Sequence, residues 1–314
     1  MNVMRRALSL ASALTLTLGA AVTPAVALNP SAGLPAWACG PDDTAAAASS
    51  PSHSAARGAT FKGAPREKDL GQVPKALPAS AKGKAGTGFA ASVPVYVHVI
   101  TDGSAGALTD SQIRGQITVL NVTFGGGEGG HNSGFSFTLA GVTRTNNATW
   151  HASRSGGAEH AMKKALKQGG DNTLNVYTTS GGAYFGWAYL PEITDTAQAY
   201  LDGIVIDWRT VPGASTAYAG TYDQGETLTH ETGHWLNLEH TFYGGCNRTG
   251  DFVDDTPAQK SASSGCPIGK DTCPAPGVDP IHNYMDYSYD TCYTQFTAGQ
   301  SQRMRDSWLL YRAP

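Results

Sequence analysis

The stretch that decides this fold reads His230-Glu231-Thr232-Gly233-His234-Trp235-Leu236-Asn237-Leu238-Glu239-His240. Two histidines four positions apart lie one above the other on a helix, so both imidazoles can reach one metal ion. Glu231 lies beside them and can take a proton from a water on that ion. Three nitrogen ligands with a fourth position left for water are the catalytic arrangement of zinc. The stretch therefore predicts zinc ligands at His230, His234 and His240. The alternative is an ordinary surface helix that happens to carry three histidines.

The position of the third histidine requires a sharp turn. Five residues separate His234 from His240, so the helix has to stop abruptly if both side chains are to reach the same ion. A residue in the left-handed conformation ends a helix in this way; Gly adopts it most readily and Asn next. We therefore expect Asn237 at positive φ. The alternative is a solvent-facing Asn in a continuing helix.

Strands and helices are mixed on both sides of this stretch. A β-branched run at 93–100 is typical of a strand. A helix with Thr109 or Asp110 as its N-cap follows and carries Ile113, Ile117 and Leu120 on one face. The remaining predicted strands are 135–142, 172–178, 184–190 and 203–208, and the remaining predicted helices are 158–168, 224–236 and 298–311. This order predicts an α/β layered domain. About 60 residues rich in Gly, Pro, Asp and Cys separate the last two helices, which favours a loop-rich segment held by disulfides.

The first 27 residues have the features of an export signal. Arg5 and Arg6 precede an apolar stretch at 7–21, and Ala25-Val26-Ala27 is a small-x-small cleavage site. The apolar stretch is shorter than the roughly 18 residues that a membrane-spanning helix needs. We therefore expect a signal peptide at 1–27 and a secreted, extracellular protein without a membrane segment. The alternative is a retained membrane anchor.

Residues 28–90 are rich in Ala, Pro, Ser, Gly and Lys and have almost no apolar periodicity. Such a composition buries little core and predicts a poorly ordered or loosely docked prosegment. Order is then expected to begin near residue 93.

Charge is divided unevenly along the chain. From Ala91 onward there are 13 Lys and Arg against 21 Asp and Glu, a net charge of −8; the part before Ala91 has 9 against 4, a net charge of +5. An acidic body argues against nucleic acid as a partner, because phosphate binding needs a basic face. A basic leader that docks on an acidic domain fits the division, although solubility alone would also explain it.

Four of the five cysteines lie near the C-terminus: Cys246, Cys266, Cys273 and Cys292. In an exported protein they predict two disulfides, with three possible connectivities. A four-cysteine zinc site is the alternative, although the cluster has no C-x₂-C pair. Cys39 is left over in the leader.

A second motif, Asn283-Tyr284-Met285-Asp286-Tyr287, is a weak signal alone, since a Met in a loop usually fills a gap. Together the two motifs resemble the metzincin clan of zinc peptidases. Within that clan the chain resembles the pappalysin family, especially its small secreted bacterial and fungal members similar to ulilysin. The resemblance covers roughly residues 93–305. Its specific parts are 230–242, 250–257, 265–267, 271–274, 283–287, Phe296-Thr297, Gln300 and Arg303-Met304.

The resemblance implies a zincin fold of the metzincin type, classed as α/β or α+β. A twisted mixed β-sheet with backing and active-site helices is followed by an irregular, disulfide-stapled C-terminal subdomain with a Met-turn and a C-terminal helix. We therefore divide the chain into the signal peptide 1–27, the prosegment 28–90 and a metalloprotease catalytic domain 91–314. The upper subdomain is 91–240 and the lower one is 241–314.

The resemblance also implies roles for individual residues. Glu231 would be the general base, and Met285 would form a hydrophobic base beneath the zinc. Tyr287 would ligate zinc at rest or stabilise the oxyanion during attack. The implied disulfides are Cys246–Cys273 and Cys266–Cys292. Asn237 departs from the Gly that the family usually has, a change that is conservative for the backbone.

Three further expectations follow from the resemblance. Structural calcium would be held by oxygen ligands of Asp251, Asp254, Asp255 and Thr256; a solvated acidic turn is the alternative. Asp290 would lie in the specificity pocket and favour Arg or Lys after the cleaved bond, unless it is simply exposed. Cys39 would be a latency switch whose thiolate occupies the water site, unless it is an incidental thiol.

The sequence thus predicts a secreted zinc endopeptidase that hydrolyses peptide bonds through a zinc-activated water with a Glu general base. Its partners would be protein or peptide substrates, with neither nucleic acid nor membrane. One rival interpretation is a zinc-binding interaction protein that has lost activity, although Glu231 and Tyr287 would then have no use. The other rival is an exopeptidase or small-substrate hydrolase. The sequence does not fix the oligomeric state.

Overall fold

A five-stranded sheet lies at the centre of the computed structural model, which describes residues 75–153, 156–182, 184–247 and 250–313. The strands are β1 (Ala91–Thr101), β2 (Phe135–Asn146), β3 (Leu174–Thr179), β4 (Gly186–Ala188) and β5 (Ile204–Asp207), in the order β2-β1-β3-β5-β4. The pairs β1–β2, β1–β3 and β3–β5 are parallel, whereas the short edge strand β4 is antiparallel to β5. The predicted mixed sheet is confirmed.

The helices of the described residues are α1 (Asp110–Phe124), α2 (Ala148–His151), α3 (Gly157–Leu166), α4 (Glu226–Trp235) and α5 (Ala298–Tyr311). Short 3₁₀ turns occur at Pro191–Asp195, Ala199–Leu201, Trp208–Thr210 and Asp290–Cys292. Thr109 caps α1 in a capping box with Gln112, and Thr297 caps α5 with Gln300 in the same way. Across the described ranges, every helix is too short or too polar to cross a membrane.

The sheet is covered on both faces, which explains its apolar strands. Val93, Val95, Val97 and Val99 of β1 alternate onto one face, where they belong to a cluster that includes α1 and α4 side chains. The opposite face carries Ile100, Tyr177 and Val205, which pack in a second cluster with Met162 of α3 and Trp187 of β4. Helix α4 is therefore held between the sheet and the chain that follows it.

Residues 75–90 differ from the sequence-based expectation that order begins near residue 93. Leu77, Ala81 and Ala85 are buried, although the segment has no apolar periodicity that would predict this. Phe89 packs edge-on against Phe135, with ring centroids 5.1 Å apart. The segment therefore packs on the domain instead of being loosely docked.

Two disulfides staple the segment between α4 and α5. Cys246 is bonded to Cys273 and Cys266 to Cys292, which confirms the connectivity implied by the family resemblance. Among the described residues of this segment, β-pairing is confined to an isolated bridge between Asn283 and Gln295. Cross-links replace a sheet here, as the composition predicts.

A buried ion pair joins the end of α5 to the sheet. The Arg312 guanidinium contacts both carboxylate oxygens of Asp202, at 2.9 and 3.2 Å, and both side chains are 0% exposed. Arg312 Nε also donates to the Trp235 carbonyl at 3.0 Å, and the Trp235 indole N–H donates to Asp202. The pair ties α5 and α4 to the loop before β5.

Arg312→Met should lower the free energy of unfolding by about 3–5 kcal/mol, because it leaves the Asp202 carboxylate buried without its main counter-charge. The control is Arg144→Met, which breaks a pair with Asp110 whose side chains are 45% and 66% exposed. That change should cost less than about 1 kcal/mol. Urea denaturation of both variants measures the difference, and equal losses would contradict the assignment.

Candidate metal centre

Helix α4 and the turn after it bring three imidazoles together. The Nε2 atom of His234 lies 3.1 Å from the Nε2 atom of His230 and 3.1 Å from that of His240. His230 and His234 are one helical turn apart and therefore share a face. The sequence-predicted ligand set thus converges on one point.

Hydrogen bonds fix which nitrogen of two histidines faces this point. His230 Nδ1 lies 2.6 Å from the Tyr284 carbonyl, and His234 Nδ1 lies 2.7 Å from the Leu238 carbonyl. A carbonyl can only accept, so each Nδ1 must carry the proton and donate it. Each Nε2 then has a lone pair directed at the common point, which is the orientation that a metal ligand needs.

The donor set fits a tetrahedral zinc ion. Zinc–nitrogen distances of about 2.0–2.1 Å place tetrahedral ligand atoms roughly 3.3 Å apart, close to the separations found here. Lone pairs facing one another at this distance repel unless a cation lies between them. Burial lowers the pKa of His240 well below its usual range, and the nearby charge of His234 lowers it further. The His240 imidazole is therefore neutral and able to bind metal.

The turn that returns His240 to the other two histidines is left-handed at Asn237, as predicted. Asn237 has a φ of 78° and is 1% exposed, so it is not a solvent-facing residue of a continuing helix. Helix α4 ends at Trp235, and the Leu238 N–H donates back to the Gly233 carbonyl at 2.9 Å. This bond closes the turn and carries the chain toward the third ligand.

Met285 lies against α4 directly behind the histidines. It is fully buried, and a Cβ atom built at Gly233 would lie 2.4 Å from its sulfur. Only Gly allows the sulfur to approach the helix so closely. Asn283 Oδ1 accepts the Met285 N–H at 3.0 Å and holds the turn. The sequence predicted Met285 but not the requirement at Gly233, which depends on a contact between distant residues.

Tyr287 and Phe242 surround the third histidine. The Tyr287 hydroxyl lies 3.0 Å from His240 Nε2, and the Phe242 ring stacks on the His240 ring at 4.8 Å with a 7° interplanar angle. The hydroxyl is therefore beside the point where the three histidines converge, where the family resemblance expects it. Phe242 was not singled out from the sequence.

Glu231 points toward strand β4. A Cβ atom built at Gly186 would lie 2.8 Å from both Cγ and Oε1 of Glu231. The side chain is 7% exposed, so β4 restricts the carboxylate on that side. Gly186 is a second small residue that sequence reasoning missed, because neither periodicity nor local spacing connects it to Glu231.

Asp290 is buried and belongs to a group of carboxyls near the start of α4, which excludes the exposed alternative. It is 2% exposed and accepts the Gln224 N–H at 3.0 Å. Burial raises the pKa of Glu226 well above its usual range, and the charges of Asp290 and Glu128 raise it further. The region is therefore rich in carboxyl groups and poorly solvated.

The three aspartates proposed for calcium do not come together as a cluster that could share one ion. Among the described residues, the sets of acidic, His or Cys side chains close enough to share an ion are the three histidines and Cys266–His282–Cys292, whose cysteines form a disulfide. Asp255 instead accepts from the Thr297 hydroxyl and the Gly299 N–H at the start of α5. The expectation of calcium at Asp251, Asp254, Asp255 and Thr256 thus has no support here. Cys39 lies outside the described residues.

Comparison with known proteins places these features in a family. Residues 212–308 match the Peptidase_M43 family model, described as pregnancy-associated plasma protein-A. An extracellular metalloprotease of Pyricularia oryzae is 48% identical over 230 residues, which cover 71% of this chain and 77% of that protein. One of Podospora anserina is 48% identical over 233 residues, with 72% and 76% covered.

Solved structures agree with this assignment. A mutant of Tannerella forsythia promirolysin has a TM-score of 0.64 at 29% identity, with 73% of this chain and 83% of that chain covered. Mature mirolysin of the same organism, in complex with a cleaved peptide, has a TM-score of 0.59 at 31% identity, with 69% and 91% covered. The similarity therefore extends from sequence to fold.

Asn237→Gly should leave zinc retention and melting temperature close to the wild-type values, because Gly adopts positive φ without strain. Asn237→Val should lower both, since the left-handed conformation costs most L-residues about 1–2 kcal/mol and a β-branched residue more. Thermal melts with and without chelator compare the two variants. A Gly variant less stable than the Val variant would contradict the role of the turn.

Gly186→Ala should reduce peptide hydrolysis on the order of 10²-fold while zinc content stays normal, because the added methyl group displaces the Glu231 carboxylate from its position. Gly115→Ala is the matched control, since a Cβ atom there meets nothing within 4 Å. Steady-state kinetics and metal analysis of both variants separate the effects. Full activity of the Gly186 variant would show that the carboxylate tolerates the displacement.

Proposed function

The chain belongs to the pappalysin-like Peptidase_M43 family of metalloproteases, and from that premise we propose that it is a secreted zinc endopeptidase that cleaves protein and peptide substrates. The observation that carries the proposal is the convergence of three Nε2 atoms beside the Tyr287 hydroxyl, with Glu231 on the same helix. His230, His234 and His240 would hold the metal. A purely structural zinc site has no use for a neighbouring carboxylate and phenol.

Zinc, when bound, would act as a Lewis acid that lowers the pKa of a water toward roughly 7 and polarises the substrate carbonyl. Glu231 takes a proton from the attacking water as its oxygen bonds to the carbonyl carbon. The same carboxyl then gives that proton to the peptide nitrogen as the carbon–nitrogen bond breaks. Its position between α4 and Gly186 of β4 supports this role, because a restricted carboxylate needs little reorganisation.

Tyr287 stabilises the negative charge that develops on the carbonyl oxygen. Its hydroxyl is a donor that lies beside the metal position, 3.0 Å from His240 Nε2, and the packing of its ring against Phe242 keeps it there. A donor aimed at developing charge in a partly enclosed site contributes to transition-state binding more than to substrate binding.

An extended substrate pairs along the edge of the sheet. Strand β4 is the terminal strand in the sheet order and packs beside α4, and strand addition is a common way to bind an extended peptide. The complex of mature mirolysin with a cleaved peptide supports peptide recognition by this type of fold. Asp290 favours Arg or Lys after the cleaved bond, supported by the acidic surroundings of Glu226 and Glu128.

Export depends on the signal peptide at 1–27, and the relatives named extracellular metalloproteases support a secreted protein. We further propose that the leader after residue 27 keeps the precursor latent and that the Cys39 thiolate blocks the water position. Removal of the leader would then activate the enzyme.

Glu231→Gln should lower the hydrolysis rate by about 10²–10⁴-fold, because the water loses its general base while the three ligands remain. The assay uses a peptide blocked at both termini, so that only internal cleavage registers. Wild-type cleavage should stop with chelator and return with zinc. Normal activity of the variant at full zinc content would refute the role of Glu231, and failure of the wild type to cut the blocked peptide would refute endopeptidase activity.

Tyr287→Phe should lower kcat more than it raises KM, because the hydroxyl acts mainly on the transition state. The ring and its packing against Phe242 remain, so the variant isolates the hydroxyl. A change confined to KM would instead assign Tyr287 to ground-state substrate binding.

A further inference from the structure

Helix α5 carries a buried arginine whose function is not explained by catalysis. Arg303 is 6% exposed, and burial lowers the pKa of its guanidinium even though the nearby carboxylates of Glu239 and Asp251 raise it. A buried cation is costly unless it is paired and hydrogen-bonded. Its contacts therefore indicate what it does.

The Arg303 guanidinium donates hydrogen bonds to both the backbone and the side chain of Asn237. Arg303 Nε donates to the Asn237 carbonyl at 2.7 Å, and an Nη atom donates to Asn237 Oδ1 at 3.2 Å. The same Nη atom donates to the Lys75 carbonyl at 3.0 Å. Bonds from a planar, rigid cation to both the backbone and the side chain of one residue fix its orientation.

Arg303 also contacts the other non-glycine residue with positive φ among those the structure describes. Phe252 has a φ of 64°, and its ring lies 5.3 Å from the guanidinium carbon. A bulky residue in this conformation is strained unless its surroundings hold it. One guanidinium thus contacts both described non-glycine residues that have positive φ, Asn237 and Phe252.

We propose that Arg303 is a positioning residue of the zinc centre, which stabilises the left-handed turn and thereby directs His240 to the metal. This rests on the proposed zinc site. One turn earlier on α5, Gln300 exchanges hydrogen bonds with Asn283, whose Oδ1 also accepts the Met285 N–H. One face of α5 therefore supports both the turn and the Met285 segment.

The test measures zinc release from the holoenzyme into a chromophoric chelator. Arg303→Met should release zinc about 10-fold faster, as is usual when support of a metal ligand is lost, and Arg303→Lys should show a smaller increase because it retains one donor. The matched control is Arg305→Met. Arg305 lies on the same helix and also binds two backbone carbonyls, those of Ser133 and Asn132. Its variant should release zinc at the wild-type rate, even if its melting temperature falls.

A double-mutant comparison tests the route through Asn237. Glycine needs no help to hold positive φ, so Arg303→Met should accelerate zinc release less in the Asn237→Gly background than in the wild type. Equal acceleration in both backgrounds, or equal acceleration by Arg305→Met, overturns the proposal. If Arg303→Met does not fold, an unchanged release rate for Arg303→Lys overturns it. Failure of the wild type to bind zinc would refute the metal site itself, a separate result.

A second inference comes from residues 75–89, here named the N-terminal strap. The Asp306 carboxylate accepts the Gly83 N–H at 2.6 Å and the Ala85 N–H at 3.0 Å, and Gln302 donates to the Ala85 carbonyl at 3.1 Å. Leu77, Ala81 and Ala85 are buried. A segment fixed by backbone bonds and buried side chains belongs to the domain on which it packs.

We infer that the strap stays in the active enzyme and that any activating cleavage occurs before Lys75. The prosegment would then be shorter than the 28–90 range that composition predicts. This inference rests on the proposed leader, but it does not require the leader to be inhibitory.

Two peptide bonds that follow lysines in the strap allow this inference to be tested. The Gly83 and Ala85 nitrogens belong to the Lys82–Gly83 and Lys84–Ala85 bonds, which are trypsin sites in an unfolded chain. In the active enzyme both should resist trypsin, whereas Asp306→Ala should be cut at least about 10-fold faster, since protection follows local stability. Gln112→Ala, which loses contacts on α1 far from the strap in sequence, is the control. Intact mass of the active enzyme should show an N-terminus at or before Lys75.

An active enzyme that begins after the strap, or rapid wild-type cleavage at both lysines, overturns the inference. A secreted enzyme that keeps all residues after the signal peptide would refute proteolytic activation yet still support retention of the strap. Failure of the strap inference can therefore be distinguished from failure of the proposed proteolytic activation.

Discussion

The third proposed zinc ligand constrains the structure around it, because the helix that carries the first two proposed ligands has to end within a few residues of the second. Helix α4 stops at Trp235, Asn237 turns the chain at a φ of 78°, and His240 returns to the other two histidines. Most residues would resist this backbone conformation. The surrounding structure therefore has to hold the turn. It does so through the Gly233 carbonyl within the turn and the Arg303 guanidinium behind it.

The site is built from two parts of the chain with different physical support. The sheet holds α4 and the Glu231 carboxylate through burial of apolar side chains on both faces. The chain after α4 supplies Met285 and Tyr287 and has little regular structure, so two disulfides and side-chain hydrogen bonds take the place of a sheet. Asp286 shows this clearly, since its buried carboxylate accepts N–H groups from Gln259, Ser263 and Tyr287. Precision at the three histidines thus depends on polar bonds in a segment whose described residues form no strand ladder.

The sequence predicted the local features well, because ligand spacing, helix caps and the turn at Asn237 are encoded within a few residues. Helix α1 begins after the predicted cap at Thr109, and α5 covers the predicted range 298–311, while β4 is shorter than the predicted 184–190 strand. The strand order was not predictable, since periodicity shows which residues are apolar but not which strands pair. The roles of Gly186, Gly233 and Arg303 depend on contacts between residues 45 to 66 positions apart. Likewise, the strap has a composition typical of disorder, and its order comes from distant contacts such as those with Asp306, more than 200 positions away.

All three histidines lie within eleven residues, which bears on how the protein acquires its metal during folding. Closing so short a loop costs little entropy, whereas the contact between Asn237 and Arg303 spans 66 positions. With the proposed zinc ligands, a nascent chain would therefore bind zinc loosely before its C-terminal helix docks. On the proposed role of Arg303, docking of α5 would then convert that early, exchangeable complex into a long-lived one. The short separation of the histidines and the long separation of Asn237 from Arg303 would thus order the two events in time. Zinc uptake would come first, and slow zinc release would follow once α5 has docked.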